Sequence, residues 1–398
     1  MGTYRRGGAV AKETVLFKAR ITSIDILRGI ALFGILLVNM LSYFYPVAYM
    51  DPAVWRKGFP FHFIYIFIDI TAQASFYPVF SFLFGFGAAV SAERFLREGK
   101  SFSLFFAKRL IILSIFGVIH AFLIWSGDIL IHYSLFGFAF LLFYKWEGKF
   151  LLLTGAALYI IPFLLTGVLM AMSADNPVNA GAAMAGNALN MYQTGTFEQI
   201  TMMRIKEWQV MNNAESFIFL FLSVFPFLLI GAGFAKLRWI HAPDQYKNLL
   251  GKLAVISIVA GLILKLIPYA TVSNSLTEFI QDQFGGPLLS MFYITGTALA
   301  LQQHAGSKLS CLLAAAGKMS LSNYILQSIV CTMMSYSYGL GLYGRMTLAE
   351  CLGTAAIIFS LQLGASFLWI QRYYLGPLEY VWRFASYGKR PFMKKRRL

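Results

Sequence analysis

The chain has 398 residues, of which 58% are hydrophobic and 13% charged, and its formal net charge is +16. Soluble domains have about 25% charged residues, so the composition excludes an ordinary soluble globular protein. It predicts an all-α, polytopic integral membrane helix bundle of about ten transmembrane helices. The positive charge does not indicate a nucleic-acid partner, because the basic residues lie in short loops and a terminal tail rather than in a groove with stacking aromatics. Such loops favour anionic lipids of the inner leaflet as partners.

Ten apolar runs follow one another along the chain, most of them close to the length of about 20 residues that a helix needs to span a bilayer. They cover residues 24–44, 64–92, 107–126, 128–144, 150–172, 216–235, 253–270, 286–303, 319–338 and 350–371. The first run contains Asp25, Arg28 and Asn39 and lacks a small-residue cleavage site, which indicates a retained span rather than a signal peptide. The second run is too long for one upright helix, so we expect a preceding interfacial helix or a break near Pro78.

The lysines and arginines are unevenly divided between alternate loops. If the N-terminus is cytoplasmic, 27 of them lie in inner segments, five in outer loops, and Lys265 within a span. Cytoplasmic loops of membrane proteins carry an excess of basic residues. Both termini are therefore predicted to be cytoplasmic.

Residues 173–215 form the one long segment between apolar runs, and on this topology they are an extracytoplasmic loop, which we expect to contain a short amphipathic helix. The loop separates an N-terminal five-span half, residues 1–172, from a C-terminal five-span half, residues 216–398, which ends in a basic cytoplasmic tail. Residues 80–87 faintly resemble residues 225–233, a weak sign of the internal repeats from which transporters are often built.

Ionisable residues within spans are costly to bury and are therefore candidates for function. Asp25 and Arg28 are three residues apart at the inner end of the first span, so their side chains share a helix face and can pair. The pair either anchors the helix end or forms the entrance for an anionic ligand such as a nucleotide phosphate. Asn39 lies about three turns further along, where its amide either binds a neighbouring helix or orients a reacting group.

A second polar cluster surrounds a predicted tight hairpin at residues 126–128. His120 lies about one turn before this hairpin and His132 about one turn after it, at similar depth on two antiparallel spans. Asp128 can cap the fourth span and orient a histidine, an arrangement that suits general-base or nucleophilic catalysis. The alternative is a hydrogen-bonded lock of the hairpin. A metal site is disfavoured, because no further His, Cys or acidic residue has a ligand-like spacing.

Other polar side chains lie deep in the predicted spans. Asp69 and Gln73 are one turn apart in the second run and can line a cavity. The ninth run begins with an unusually polar stretch that includes Asn323 and Gln327. Together with His132, we expect Asp69, Asn323 and Gln327 to line the path of a substrate.

Several segments of the chain resemble the YeiB-like family of bacterial membrane proteins, which contains a domain of unknown function. The segments that carry this resemblance are Arg20–Asn39, Phe80–Gly87, His120–Tyr133, Gly317–Ser328 and Gly376–Arg383, which together extend in order over nearly the whole chain. The resemblance implies a multi-pass protein of the bacterial plasma membrane.

The family in turn resembles the transmembrane acyltransferases, which include the lysosomal heparan-α-glucosaminide N-acetyltransferases. The shared features are the Arg-x-x-Ser-x-Asp-x-x-Arg-Gly opening at 20–29, the asparagine Asn39 and the Pro-x-Phe-x-Phe-x-x-Gly stretch at 78–85. Those enzymes pass an acyl group from cytoplasmic acyl-CoA to an acceptor across the membrane. The resemblance implies acyl-CoA, with acetyl-CoA the leading candidate, as co-substrate near Asp25 and Arg28, no metal, and Asn39 near the transfer centre. It also marks residues 1–172 as the acyltransferase-like half.

The chain departs from the acetyltransferase pattern at one position. Where those enzymes have a catalytic histidine about eleven residues after the asparagine, this chain has Met50. His62 is the nearest histidine in sequence, whereas His120 has the more suitable depth and has Asp128 as its neighbour. We therefore prefer His120 as the reactive histidine.

The first functional hypothesis is a membrane acyltransferase that acts on a small-molecule acceptor. Arg28 and Arg109 would help to dock acyl-CoA. His120, oriented by Asp128, would act as base or accept the acyl group itself, and Asn39 would stabilise the oxyanion. The second hypothesis is a transporter or exporter of a small amphipathic solute, and the third is a non-catalytic membrane scaffold. The sequence leaves open the acceptor, the acyl chain, whether the protein is catalytic, and whether it is a monomer or a homodimer.

Overall fold

A computed structural model describes residues 6–49, 62–173, 182–304, 306–388 and 390–394. These residues form helices joined by turns, with no strand among them and an isolated β-bridge between Tyr373 and Lys394. Eight of the described helical segments are long and apolar enough to cross a membrane, and a bent helix pair makes a ninth. The prediction of an all-α, multi-pass membrane protein is confirmed.

The helices are numbered in chain order over the described residues. They are α1 (Arg6–Phe44), α2 (His62–Thr71), α3 (Phe76–Arg97), α4 (Phe102–Ile119), α5 (Leu130–Phe140), α6 (Gly148–Met172), α7 (Ala182–Thr194), α8 (Phe197–Met211), α9 (Ala214–Lys236), α10 (Lys247–Ala270), α11 (Ser275–Ile280), α12 (Gly286–His304), α13 (Lys308–Lys318), α14 (Ser320–Ser335), α15 (Leu348–Arg372) and α16 (Pro377–Tyr387). A 3₁₀ turn covers Val47–Tyr49, and π-helical segments follow α4 at His120–Ile124 and α11 at Gln281–Gly285.

Two of the ten predicted spans differ from the simple expectation. The fourth is short, because α5 has 11 residues and gives way to i→i+3 turns from Phe138 to Phe143. The ninth corresponds to α14, and α13, which we expected in an inner loop, forms an 82° bend with it. The other eight predicted spans each match one of the eight long apolar segments.

A side chain of α16, Glu379, stabilises the bend between α13 and α14. The first N–H groups of a helix need partners outside the helix, and a carboxylate there is favoured by the helix dipole. The backbone N–H groups of Leu321 and Ser322 donate to the Glu379 carboxylate at 2.8 and 3.2 Å, and the Ser322 hydroxyl donates to it at 2.5 Å. Burial raises the pKa of Glu379 above its ordinary value even with these bonds. The position of α16 therefore determines where α14 begins.

The long second apolar run is broken, and the break precedes Pro78 rather than coinciding with it. Residues 72–75 form turns between α2 and α3, with Ala74 in the left-handed region at φ 56°. The Lys265 ammonium donates to the Gln73 carbonyl at 2.8 Å, which satisfies a polar group that the break exposes inside the membrane. Pro78 lies in the first turn of α3, where its missing N–H costs nothing.

Glycines allow two pairs of helices to approach closely. At the crossing of α3 and α9, a side chain on Gly85 would collide with the Leu228 carbonyl, and one on Gly231 would collide with the Phe82 carbonyl. The Ser81 hydroxyl also donates to the Val224 carbonyl, at 2.6 Å. The two segments that resemble each other in sequence, 80–87 and 225–233, are thus packed directly against one another.

A second close crossing joins α1 to α13. A side chain on Gly29 would collide with the Leu313 carbonyl, and one on Gly317 would collide with the Asp25 carbonyl. Because neither position has room for even a methyl group, the first turns of the membrane-spanning part of α1 are held against the end of α13. This contact brings Lys318 close to Asp25 and Arg28.

The segment between the two predicted halves forms two helices, α7 and α8, rather than the single short helix that we expected. Residues 174–181 of this segment lie outside the described residues. The helices enclose a small buried cluster, which we call the tyrosine cap and which consists of Ala188, Tyr192, Ile200, Tyr336 and Tyr343. The Ser337 N–H donates to the Tyr192 carbonyl at 2.9 Å, so α7 is fixed to the chain that follows α14.

Candidate functional site

Three side chains from distant parts of the chain form a continuous hydrogen-bonded chain inside the bundle. The His120 Nδ1 lies 2.8 Å from the Asp128 Oδ1, and the His120 Nε2 lies 2.8 Å from the Ser328 Oγ. The exposed fraction of the His120 and Ser328 residues is 0% and that of Asp128 is 6%. An Asp–His–Ser arrangement with these contacts is the geometry by which a serine hydroxyl is activated for nucleophilic attack.

The donor and acceptor of each hydrogen bond can be assigned by starting from Asp128, which lies at one end of this chain of side chains. An ionised Asp128 can only accept, so the His120 Nδ1 carries the proton and donates it, which leaves the Nε2 of the neutral ring as an acceptor. The Ser328 hydroxyl therefore donates to the Nε2. The other Asp128 oxygen accepts the Ile131 N–H at 2.8 Å, in the first turn of α5. The carboxylate is thus held by two donors.

The chain of polar groups continues beyond the serine. The Tyr43 hydroxyl lies 2.7 Å from the Ser328 Oγ, and since the serine proton is directed to His120, the tyrosine donates to the serine oxygen. Asn39 lies one helical turn before Tyr43 on α1, near the same tyrosine hydroxyl. The Tyr43 hydroxyl of α1 therefore lies beside Ser328, with Asn39 one turn earlier on the same helix.

The local backbone explains why His120 faces this centre. The α4 helix ends in a π-helical turn, His120–Ile124, closed by a bond from the Trp125 N–H to the His120 carbonyl at 2.8 Å. Such turns are rare and occur preferentially at functional sites. Gly117 permits the approach of the hairpin, because a side chain there would meet the Ile131 backbone and the Asp128 carboxylate.

A cavity of about 350 Å³ leads toward this centre from the end of the bundle that we call the basic end. Its mouth is lined by Arg28, Arg109, Lys318 and Arg383. An adjoining cavity of about 730 Å³ shares three of these cations, Arg28, Lys318 and Arg383, and is also lined by Asp25. The two cavities form a large basic entrance that suits a ligand with several phosphates.

The inner part of the cavity is apolar and ends at a tyrosine. Its walls are formed by side chains of α3, α4 and α5, namely Phe80, Leu83, Phe84, Phe106, Leu113, Leu130 and Tyr133. Ile129 and Tyr324 also line it. The ring of Tyr324 lies with its centroid 5.1 Å from that of His120, so one aromatic ring separates the cavity from the imidazole.

The arginines at the mouth have defined partners. The Arg28 guanidinium lies 3.2 Å from the Asp25 carboxylate, as the sequence spacing predicted. Arg109 lies over the ring of Trp382 at 4.1 Å, and the Trp382 indole donates to the Arg109 carbonyl at 2.9 Å. The α16 helix thus contributes to the mouth and to the position of Arg109.

Of the predicted site residues, the structure brings His120 and Asp128 together in one centre and places Asn39 one turn before Tyr43 on α1. Arg28 and Arg109 line the cavity, with Asp25 paired to Arg28. Of His62, only its backbone at the start of α2 is described, and Met50 lies outside the described residues. Among the described residues, no group of three or more His, Cys, Asp and Glu side chains could hold a metal ion.

The predicted substrate-binding residues lie elsewhere. Asn323 donates to Ser366, and Gln327 donates to Gln362 at 2.8 Å, so both join α14 to α15. His132 is hydrogen bonded through its Nε2 to the Asn212 side chain. None of these three lines the cavity, and their role in binding a substrate stays a prediction.

Asp69 belongs to a separate buried cluster. Its carboxylate accepts from Gln281 at 2.6 Å and from Tyr269 at 2.5 Å. In the same region the Lys265 ammonium lies 3.1 Å from Asp282. This cluster surrounds the break between α2 and α3, and the substrate-binding role of Asp69 also stays a prediction.

Four residues of the site, Tyr43, Lys318, Ser328 and Arg383, were not predicted to have a role. Ser328 lies in the polar stretch of the ninth run and ends the segment Gly317–Ser328 that carries the family resemblance, but neither pattern shows what it contacts. Because it is 208 residues from His120, no local spacing reveals that the two meet.

A basic cavity that leads to a buried Asp–His–Ser centre within a multi-pass helix bundle defines a class of protein: a polytopic α-helical membrane protein with a polar centre enclosed by its helices. Comparisons with known proteins identify the family. Residues 234–389 match a family model described as "Protein of unknown function (DUF418)". The chain is 33% identical to the "Uncharacterized protein YxaH" of Bacillus subtilis (strain 168), over 96% of this chain and 98% of that protein.

Two further relatives extend over almost the whole chain. The "Uncharacterized 39.9 kDa protein in amylase 3'region" of Bacillus acidopullulyticus is 30% identical, over 96% of this chain and 99% of that protein. The "Uncharacterized protein YeiB" of Escherichia coli (strain K12) is 24% identical, over 92% of this chain and 95% of that protein. The chain belongs to the YeiB-like family with the DUF418 domain, and this part of the resemblance is confirmed.

Proposed function

We propose that the protein is a membrane acyltransferase that takes an acyl group from acyl-CoA and passes it to a small-molecule acceptor. The observation that carries the proposal is the cavity itself. It is lined by four cations, by aromatic and aliphatic side chains, and by Tyr324, which is in ring contact with a histidine whose Nδ1 is bonded to Asp128.

The three parts of the cavity match the three parts of acyl-CoA. The phosphates of CoA are favoured by Arg28, Lys318 and Arg383, because charge-assisted bonds to phosphate are about twice as strong as neutral ones. The narrow apolar section suits the extended pantetheine arm. The acyl thioester would then lie near Tyr324, with acetyl the leading candidate for the acyl group.

The centre supplies the chemistry that acyl transfer needs. His120 is oriented by the bond from its Nδ1 to Asp128, so its Nε2 can take a proton from an attacking hydroxyl and then return it to the CoA thiolate as the C–S bond breaks. The negative charge that develops on the carbonyl oxygen can be stabilised by donors on α1, where Tyr43 and Asn39 lie. Each of these groups is buried or partly buried, and a low dielectric strengthens such interactions.

The proposed setting is the plasma membrane of a bacterium, with the basic end facing the cytoplasm. Acyl-CoA is available there, and basic residues outside the spans favour anionic lipids of the inner leaflet. The tyrosine cap would then face the outside, where the acceptor arrives. The acceptor would thus meet the acyl group at the buried centre between the two ends.

Binding of acetyl-CoA to the detergent-purified protein is the first test. Saturable binding is expected, and Arg28→Ala and Arg383→Ala should each weaken it about tenfold or more, since a hydrogen bond to a charged group contributes about 1.5–3 kcal/mol. Arg97→Ala is the matched control, because Arg97 is exposed, lies near the same end and bonds only to Glu93 among the described residues. Unchanged affinity in both mouth variants, or no binding of any acyl-CoA, would refute the proposal.

A second candidate function, a transporter of a small amphipathic solute, is favoured by the buried cluster of Asp69, Lys265 and Asp282. Ionisable residues inside a membrane mark ion or substrate pathways, and this cluster lies at a break between α2 and α3, a feature of transporter binding sites. Solute flux in proteoliposomes without acyl-CoA would favour this function. Loss of that flux in Lys265→Met would connect it to the cluster.

A further inference from the structure

We infer that Ser328 is the nucleophile of the proposed reaction and carries the acyl group as a covalent ester before it passes to the acceptor. The inference deepens the proposed acyl transfer and rests on it. The reacting group is the hydroxyl of Ser328, a residue to which the sequence assigned no role.

The first argument is that both nitrogens of His120 are already occupied. Its Nδ1 is bonded to Asp128 and its Nε2 to Ser328, each at 2.8 Å. An acceptor that used His120 directly as its base would have to displace the serine from the Nε2. The hydroxyl that is in position to lose its proton to the imidazole is therefore that of Ser328.

The second argument comes from the other buried hydroxyls of the helices. A serine or threonine inside a helix commonly donates to the carbonyl three or four residues before it. Thr332, Ser223 and Ser134 do so at 2.8, 2.8 and 2.7 Å. The corresponding distance from Ser328 to the Tyr324 carbonyl is 3.3 Å, whereas its contact with the imidazole is 2.8 Å. Ser328 thus keeps only a long contact with the usual backbone partner and makes its shorter one with His120.

The third argument is position. Ser328 lies four residues beyond Tyr324, about 6 Å along α14, so it is the next reactive group on this helix past the Tyr324 that lines the cavity. On its other side is Tyr43, whose ring packs on Trp125 of the hairpin with centroids 4.4 Å apart. Ser328 therefore lies between the donor cavity and the opposite end of the bundle.

The reaction proceeds in two balanced steps. In the first, the Ser328 oxygen attacks the thioester carbonyl and its proton moves to the His120 Nε2, while Asp128 stabilises the imidazolium. The C–S bond breaks, the thiolate takes the proton from His120, and CoA leaves as the free thiol. In the second, the acceptor hydroxyl or amine loses its proton to His120 and attacks the ester carbonyl. The bond to the Ser328 oxygen breaks, and that oxygen recovers the proton.

The test is to incubate the full-length protein in detergent with acetyl-CoA and no acceptor, quench it in acid, and measure its intact mass and the masses of its peptides. The expected result is one acetyl group per chain, located on Ser328, with release of one equivalent of CoA. Ser328→Ala should bind acetyl-CoA with unchanged affinity and remain unmodified. Ser328→Cys, which keeps a nucleophile of similar size, should acquire the acetyl group as a thioester.

Ser134→Ala is the matched control, because Ser134 is also fully buried in a short helix of the bundle but bonds to a backbone carbonyl. The Ser134→Ala variant should be acetylated on Ser328 to the same extent as the protein with the natural sequence. Binding of acetyl-CoA with no acetylated Ser328, or an acetyl group on His120 instead, would overturn the inference while leaving the proposed function in place. Failure to bind acetyl-CoA at all would count against the proposed function itself.

Discussion

His120 connects four parts of the structure through a single imidazole. It lies on the π-helical turn after α4, bonds to Asp128 of the hairpin before α5, and meets Ser328 of α14, which in turn bonds to Tyr43 of α1. A network of buried polar groups specifies one arrangement of these helices only if every member has a partner. The same bonds that fix the helices thus place the imidazole between Asp128 and Ser328, as the proposed reaction requires.

A second buried residue, Glu207, connects α8 to the hairpin and to α7. Its carboxylate accepts from the Ser126 hydroxyl at 2.7 Å and from the Tyr192 hydroxyl at 2.6 Å. Burial raises the pKa of Glu207 above its ordinary value of 4.5, although these bonds and the nearby Arg204 oppose the shift. The folded state therefore holds the proton of Glu207 more tightly than the unfolded chain does.

The difference between the folded and unfolded pKa of Glu207 makes the stability of the protein depend on pH. The contribution of Glu207 to stability is fully present below the unfolded pKa and is lost as the pH rises through the higher folded pKa. Glu207→Gln keeps an oxygen that can accept from Ser126 and Tyr192 and removes the titration. We expect the variant to lose less thermal stability than the natural sequence as the pH rises above the ordinary pKa of 4.5, as measured by the melting temperature in detergent.

The control for this experiment is Glu215→Gln, which changes an exposed carboxyl in the first turn of α9. It should keep the pH dependence of the natural sequence. An equal pH dependence in Glu207→Gln and Glu215→Gln would show that Glu207 is not the titrating group.

At the scale of elements, the crossing of α3 and α9 holds one wall of the cavity, because Phe80, Leu83 and Phe84 lie on α3. Gly231 faces the Phe82 backbone there, with no room for a methyl group. We expect Gly231→Ala to destabilise the protein by about 1–3 kcal/mol, the usual cost of overpacking. A lower melting temperature in detergent would measure it, and weaker acetyl-CoA binding should accompany it.

Gly251 provides the matched comparison, since it lies within α10 and a methyl group added there would have no other heavy atom within 4 Å. Gly251→Ala should leave the melting temperature unchanged or raise it slightly, because alanine favours the helix more than glycine does. Equal effects of the two substitutions would mean that the crossing is less tightly packed than the structure indicates.

Local patterns in the sequence predicted the elements well, and the exceptions have physical causes. Apolar runs of sufficient length identified the long helices, because a membrane requires them. The 82° bend after α13 was not predicted, because it depends on Glu379, which caps α14 from a helix almost sixty residues away in the chain. The break in the second run was predicted more closely, because the short helix α2 leads into α3 through a turn of residues 72–75, a few residues before Pro78.

The candidate site could be predicted only in part, because some of its contacts join residues that are far apart in the chain. His120 and Asp128 are eight residues apart, so the hairpin alone suggested that they meet, and Asp25 and Arg28 are related by simple helix spacing. The contacts of His120 with Ser328 and of Ser328 with Tyr43 extend over 208 and 285 residues. Only the packing of α1 and α14 on the hairpin brings these groups together.

At the scale of the whole molecule, the proposed reaction depends on the orientation of the bundle in the membrane, because acyl-CoA must reach the basic end. Cysteine labelling in intact bacterial cells tests this orientation. Cys311 is exposed on α13, the helix that ends at the cavity mouth, whereas Cys331 and Cys351 are buried. Met184 on α7, 53% exposed, provides a position at the other end.

With the basic end in the cytoplasm, a membrane-impermeant maleimide should modify Cys311 only after the cells are broken open. In a Cys311→Ser background, the Met184→Cys variant should be modified in intact cells, since α7 would lie outside. The division of 27 basic residues to five between the two sets of loops is the physical reason for this orientation. The opposite labelling pattern would place the cavity mouth outside the cell, away from acyl-CoA, and the buried centre would then need a donor of a different kind.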